Sequence, residues 1–253
     1  MKSYLKFLSR NKLYTAIEAV GLVVSLAFVL LTGHFVWQQR QMTRNVPDYK
    51  DVYTFYRSMR GNSGVGFSWG TALQAKEDIP EVEKAAMFWK AMSQEESTID
   101  IDGAKYHVEE CMVGGDFFDI FPANFEAGNA ATLNDASNAI ISRSFANLLG
   151  GESVAIGKVI DGKYTIGAII KDTPNPIFGE PDVIISIENL TNRKNRPHML
   201  DVIPFVKVRK GTDRAELEVK ADSLAAKAFD AFGARNFLKI SRITSGMSNR
   251  LAI

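Results

Sequence analysis

The run "TAIEAVGLVVSLAFVLLTGHFVW", residues 15–37, constrains this chain more than any other feature. Its 23 residues, at about 1.5 Å each in a helix, reach roughly 34 Å, enough to cross the hydrocarbon core of a bilayer. Glu18 lies near its start and His34 near its end, within reach of an interface, and Ala19–Gly33 between them carries no charge. A cleavable signal peptide has a shorter apolar region, about 7–15 residues, followed by a small-x-small site. This run is longer and no Ala-x-Ala follows it, so it reads as a retained transmembrane helix.

Charge sets the expected orientation. Residues 1–44 hold Lys2, Lys6, Arg10, Lys12, Arg40 and Arg44 against Glu18, a net of +5; the whole chain is +1, so the rest carries −4. Four cations precede the span and two follow it, which predicts a cytoplasmic N-terminus and a body outside, in the periplasm of a Gram-negative cell. A mildly acidic body argues against a nucleic-acid partner. Residues 1–14 then form a cytoplasmic lead. Within "KSYLKFLSRNK" (2–12), Tyr4, Leu5, Phe7 and Leu8 sit among four cations, as in an amphipathic helix lying on membrane lipid. By position, Lys2 to Lys12 are the candidate cytoplasmic contact. The lone Cys111 cannot make an internal disulfide and reads as a small buried apolar residue.

Residues 45–253 read as an α+β body. "DVYTFYR" (51–57) has strand composition; "SWGTALQAKEDIP" (68–80) predicts a helix that stops before Pro80. "STIDI" (97–101) and "AKYHVEECMV" (104–113) flank Asp102-Gly103, a hairpin signal. "NAIIS" (138–142) predicts a buried strand and "SRSFANLLGG" a short helix ending in glycine. "KVI", the turn "DGK" and "YTIGAII" predict a second hairpin, with strands at "PDVIISI", "DVIPFVKV" (201–208) and "FLKISRI" (237–243). Residues 212–229 predict a helix whose apolar face holds Leu217, Val219, Leu224, Ala225, Ala228 and Phe229. Hairpins mixed with helices indicate α+β rather than a doubly wound parallel sheet.

No catalytic, cofactor or metal constellation emerges. "GGDFFDIFP" (114–122) places Asp116 and Asp119 on one face of a helical turn, but a catalytic pair needs partners, and none adjoins them in sequence. Asp116 reads as a helix N-cap. "GGESVAIGKV" (150–159) has five residues between Gly151 and Gly157, and Val159 after Lys158, so it is not a P-loop. "SRNK" (9–12) lacks companion motifs. His34, His107 and His198 have no metal-site spacing; His107 reads as a surface pair with Glu109. "NRKNR" (192–196) reads as a solvated loop, and "SGVGFSWG" as a flexible one.

Several blocks carry a family resemblance. "FLSRNKLYTAIEAVGLVVSLAFVLL" resembles the first transmembrane segment of ABC-transporter permeases of the macrolide-exporter (MacB) and FtsX-like type. "DVYTFYR", "GFSWGTALQAKEDIPEVEKAAMF", the stretch from Phe117 to Ile160, and "YTIGAIIKDTPNP" resemble, in that order, their periplasmic core domain. The resemblance implies a transmembrane helix at 15–37 followed by a two-lobed mixed α/β periplasmic core domain over 45–253. It implies a permease in the bacterial inner membrane whose periplasmic domain moves as a separate or fused ABC ATPase turns over. It also implies work as a homodimer or paired permease, a possible periplasmic adaptor, and no catalytic residue in the permease itself. Two departures stand out. Such permeases continue into three further transmembrane helices, so the chain is expected to be a fragment or a truncated form. And "WQQRQMTRNVPDYK" lacks the acidic and aromatic pattern expected after the anchor. The rival expectation is a single-pass anchored sensor or binding domain.

Overall fold

Helix α1 (Lys12–Arg44) is 33 residues long, and its segment Ala16–Trp37, with mean hydropathy 2.2, is long and apolar enough to cross a membrane. It is apolar all the way round, and its side chains face outward: Leu22 is 70%, Phe28 71% and Leu31 70% exposed. The hydroxyls of Ser25 and Thr32 donate to the carbonyls of Gly21 and Phe28 one turn back, each at 2.8 Å, so neither stands unpaired on the apolar surface. The chain divides into two units at Gln41/Met42. The computed structural model describes residues 12–44, 46–59, 62–64, 71–90, 97–172, 179–188, 202–229 and 237–242. The amphipathic lead before residue 12, "NRKNR" and most of "SGVGFSWG" lie outside them.

The body is built on one mixed sheet. Its strands are β1 (Val52–Met59), β2 (Asn62–Gly64), β3 (Val82–Lys90), β6 (Glu110–Gly115), β7 (Phe125–Ala127), β8 (Asn138–Ser142), β9 (Val159–Ile160), β10 (Tyr164–Ile170), β11 (Val183–Ser186), β12 (Ile203–Val208) and β13 (Phe237–Arg242). The order is β13-β1-β12-β3-β6-β11-β8-β10-β7, with β2 beside β1 and β9 beside β10. The β11–β6 and β8–β10 pairs are parallel and the other neighbours antiparallel. β4 (Ser97–Ile101) and β5 (Ala104–Val108) form a separate hairpin. The two halves of the expected two-lobed body therefore share a sheet, joined where β3 pairs β6.

Period-two alternation sorts the core onto two faces. Ala85, Met87, Ile141 and Val206 pack on one face with Ala72 and Ala75 of α2 (Thr71–Asp78), Phe145 and Ala146 of α4 (Arg143–Leu148), Ala155 of α5 (Glu152–Ala155), and Leu217, Ala221 and Leu224 of α6 (Arg214–Phe229). Ala86, Phe88, Ile140 and Phe205, each one residue away, pack on the other. There, among the described residues, the α-helical cover is a single turn, α3 (Phe117–Ile120), with Val46 before β1 and Leu133 of the 3-10 turn Ala130–Asn134 packed beside it.

Both Asp-Gly turns form as read. Asp102-Gly103 (φ 55 and 81) joins β4 to β5, and Asp161-Gly162 (φ 52 and 64) joins β9 to β10; two successive positive φ values are what a type I′ turn needs. Pro204 enters a strand with neighbours on both sides. The β1–β12 ladder runs from Val52 to Thr54 and stops there; Pro204 has no N–H, and its carbonyl takes the Thr54 hydroxyl at 2.8 Å.

Three expectations are corrected. "AKYHVEECMV" is two strands, because Glu109 leaves the run and exchanges backbone contacts with Asp182: its N–H donates to the Asp182 carboxylate (3.0 Å) and its carbonyl accepts from Asp182 N (2.8 Å). Val219 is 70% exposed and not on the apolar face of α6, which the buried Ala221 completes. Asp116 makes no side-chain cap on α3.

Candidate functional site

Asp116 and Asp119 are each paired to a lysine from the preceding part of the chain. Asp116 Oδ2 accepts from Lys76 Nζ at 2.6 Å and from the Ala85 N–H at 2.9 Å, while Asp116 N donates to the Ala85 carbonyl at 2.8 Å. Asp119 accepts from Lys84 at 2.8 Å. The pair thus pins α3 to α2 and β3. Gly115 makes that approach possible: at φ +65, a Cβ there would lie 2.4 Å from the Ala85 carbonyl oxygen. The sequence reading assigned Asp116 to packing, and packing is its observed part, through tertiary contacts rather than a cap.

The remaining candidates disperse. His107 Nδ1 lies 3.2 Å from Thr98 Oγ1 across the β4–β5 hairpin, while Glu109 binds Lys90 of β3 at 2.8 Å, so the expected His107–Glu109 pair is replaced by two separate contacts. In "GGESVAIGKV", Lys158 pairs with Asp102 and Glu152 with Arg143. Cys111 is buried, and burial pushes its thiol pKa far up, which keeps it protonated and unreactive. Burial also raises the Glu110 carboxyl, with Asp161 adding to it. Among the described residues no group of three or more His, Cys, Asp or Glu is placed to hold a metal.

What the structure adds is a cleft of about 110 Å³ on the thinly covered face. It opens at the carboxyl ends of the parallel pair β8 and β10, at Ser142 and Ile170, and is floored by Phe117, Phe118, Phe121 and Ile184. The rings of Phe117 and Phe121, one turn apart, sit 5.2 Å centroid to centroid, and Phe118 meets Phe117 edge-on at 5.4 Å. Its rim carries Lys171, Asp172, Glu180 and Asp182. Two of these acids have structural work. Asp172 accepts from the Ser144 N–H (3.1 Å) and hydroxyl (2.8 Å), and Asp182 accepts from Glu109 N. The sequence reading missed this cleft. Its only local signal was the aromatic spacing of Phe117, Phe118 and Phe121, which reads equally as core.

Comparison with known proteins places the fold. Residues 15–224 match the MacB-like periplasmic core domain family. Among solved structures, a domain of a protein described as a permease from Porphyromonas gingivalis superposes with TM-score 0.68 at 20% identity, covering 81% of this chain and 99% of that one. The periplasmic region of MacB from Actinobacillus actinomycetemcomitans gives TM-score 0.58 at 9% identity, covering 82% and 94%. The extracellular domain of the ABC-type transporter YknZ from Gram-positive bacteria gives 0.56 at 12% identity, covering 75% and 99%. Comparison with curated proteins finds no significant match. The order of strands and helices, the apolar helix in front of them, and the family match across 15–224 agree: this chain belongs to the MacB-like periplasmic core domain family.

Proposed function

We propose that the chain is the N-terminal part of an ABC transporter permease. Its extracytoplasmic domain couples ATP-driven motion to the export or extraction of a substrate, and the chain performs no chemistry of its own. The observation that carries this reading is the MacB-like periplasmic core domain directly after an apolar helix of membrane-spanning length. The excess of cations before the span supports a cytoplasmic N-terminus and a periplasmic body, with the anchor in the inner membrane. An ABC ATPase supplies the nucleotide site, two permeases act as a pair, and a periplasmic adaptor completes the assembly.

The test is recovery of the protein from its native membranes in mild detergent, with mass spectrometry of everything that comes with it. Co-recovery of an ABC ATPase supports the permease. Recovery without any ATPase sinks it in favour of a single-pass anchored sensor or binding domain, the reading that the cleft on the body favours. Crosslinking in those membranes gives dimers if permeases pair; a product that stays monomeric removes that part.

A further inference from the structure

We infer that the cleft beside α3 is a docking site for another protein, and that it takes a segment presenting one apolar side chain flanked by lysine or arginine. Three observations converge. The floor is aromatic and aliphatic, with Phe118 and Ile170 only partly buried by the fold itself. The rim is acidic: Asp172, Glu180 and Asp182 against Lys171 leave a formal charge of −2. Of the three acids, Glu180 is exposed and accepts no hydrogen bond from a described residue, whereas Asp172 and Asp182 are held by Ser144 and Glu109.

Size selects the class of occupant. Small-molecule sites run to roughly 300–1,000 Å³. At about 110 Å³ the cleft is smaller and suits one anchoring side chain. A buried apolar anchor ringed by complementary rim charge is how protein segments are held, the anchor giving affinity and the rim giving selectivity and salt dependence. The face is also the right one. The opposite face of the sheet lies under α2, α4 and α6, whereas among the described residues this one has the single α3 turn and the 3-10 turn at Ala130–Asn134, so a partner adds to a layer that these residues leave thin. The inference rests on the permease reading only in taking the body to meet other proteins outside the membrane.

The test uses the full chain in nanodiscs and three pentapeptides, Ser-Lys-Phe-Lys-Ser, Ser-Glu-Phe-Glu-Ser and Ser-Lys-Ala-Lys-Ser, followed by saturation-transfer NMR. The lysine-flanked phenylalanine peptide is expected to bind tightest, the alanine peptide about tenfold more weakly for want of its anchor. The glutamate-flanked peptide is expected to bind about fivefold more weakly, with the gap closing in high salt. Glu180→Lys brings the rim's formal charge to zero and is expected to erase the preference between the two phenylalanine peptides while both still bind, an outcome that misfolding cannot produce, and Ala123→Trp in the cleft lining abolishes both. Equal binding of the three peptides, no binding, or a preference unmoved by Glu180→Lys overturns the inference. Because the ATPase co-recovery experiment does not depend on the cleft, failure of the docking site and failure of the permease reading separate cleanly.

Discussion

Helix α1 and the sheet body use the same apolar residues under opposite rules. In α1, Leu22, Phe28 and Leu31 stand more than two-thirds exposed around the whole circumference. In the body, Phe55, Ile140, Ile141 and Phe205 are fully buried on two faces of one sheet. Among the described residues of its own unit no second element covers these side chains, so the apolar surface is stable only where lipid replaces water. The body makes its own apolar solvent by alternation, one residue to each face. The same composition therefore yields two independent stabilities, one set by insertion and one by packing.

The strongest way to probe that difference is to damage one side alone. Phe205 is fully buried and packs edge-on against Phe121 at 5.0 Å. Phe205→Ala is expected to lower the unfolding free energy of the body by about 3–5 kcal/mol, read by urea unfolding of the chain in detergent, without releasing it from membranes. Conversely, Leu26→Arg near the middle of the span is expected to cost about 2.5–3.5 kcal/mol of insertion. Alkaline extraction would show more protein leaving the membrane while the urea midpoint of the body stays put. If either substitution moves both readouts, the two stabilities are coupled and the comparison breaks.

Smaller effects sharpen the body's side. Ser142 ends β8 and its hydroxyl accepts from the Phe145 N–H at 3.0 Å, capping α4. Ser142→Ala is expected to cost about 1 kcal/mol, with Ser142→Asp restoring part of it; equal losses in both variants would place the effect in the strand rather than the cap. Just before β3, Lys220 bridges Glu81 (2.6 Å) and Glu216 (2.8 Å), tying α6 to the start of that strand. The hydrogen bond from Lys220 holds the Glu81 carboxyl below its usual range. A carboxyl lowered by folding stabilises the fold above its unfolded pKa, and that contribution disappears as pH falls through the folded value. Glu81→Gln should therefore be less stable than the parent at pH 7 and indistinguishable from it in acid. A difference that persists unchanged into acid would mean that packing, not charge, holds α6 there.

Much of this was legible in sequence because it is local. The two Asp-Gly turns announce themselves, since few residues other than glycine, asparagine and aspartate accept positive φ in succession. "NAIIS" becomes β8 with its bounds unchanged, and the helix read between Ser68 and Pro80 is seen as Thr71–Asp78, stopping before the proline. The errors are equally physical. "AKYHVEECMV" reads as one strand-like run, yet its alternation breaks at Glu109-Glu110, and there Glu109 is held by Asp182, 73 residues on. Val219 sits within an apolar pattern but on the exposed side of α6. The cleft was illegible because its walls come from α3 and the ends of β8 and β10, brought together only by the sheet.

By itself, then, the sequence determined an apolar helix of membrane-spanning length, the α+β character of the body, and its hairpins, because these depend on composition and on neighbours within one or two turns. Only the tertiary structure decided the rest. It gave Asp116 to Lys76, 40 residues away, and Asp119 to Lys84, 35 away, turning a suggestive carboxylate pair into the pins of a packing turn. It set β11 parallel to β6 and antiparallel to β8, and so built the cleft's location. Those outcomes rest on contacts between distant segments, whose energies appear only once the chain has closed the loops between them.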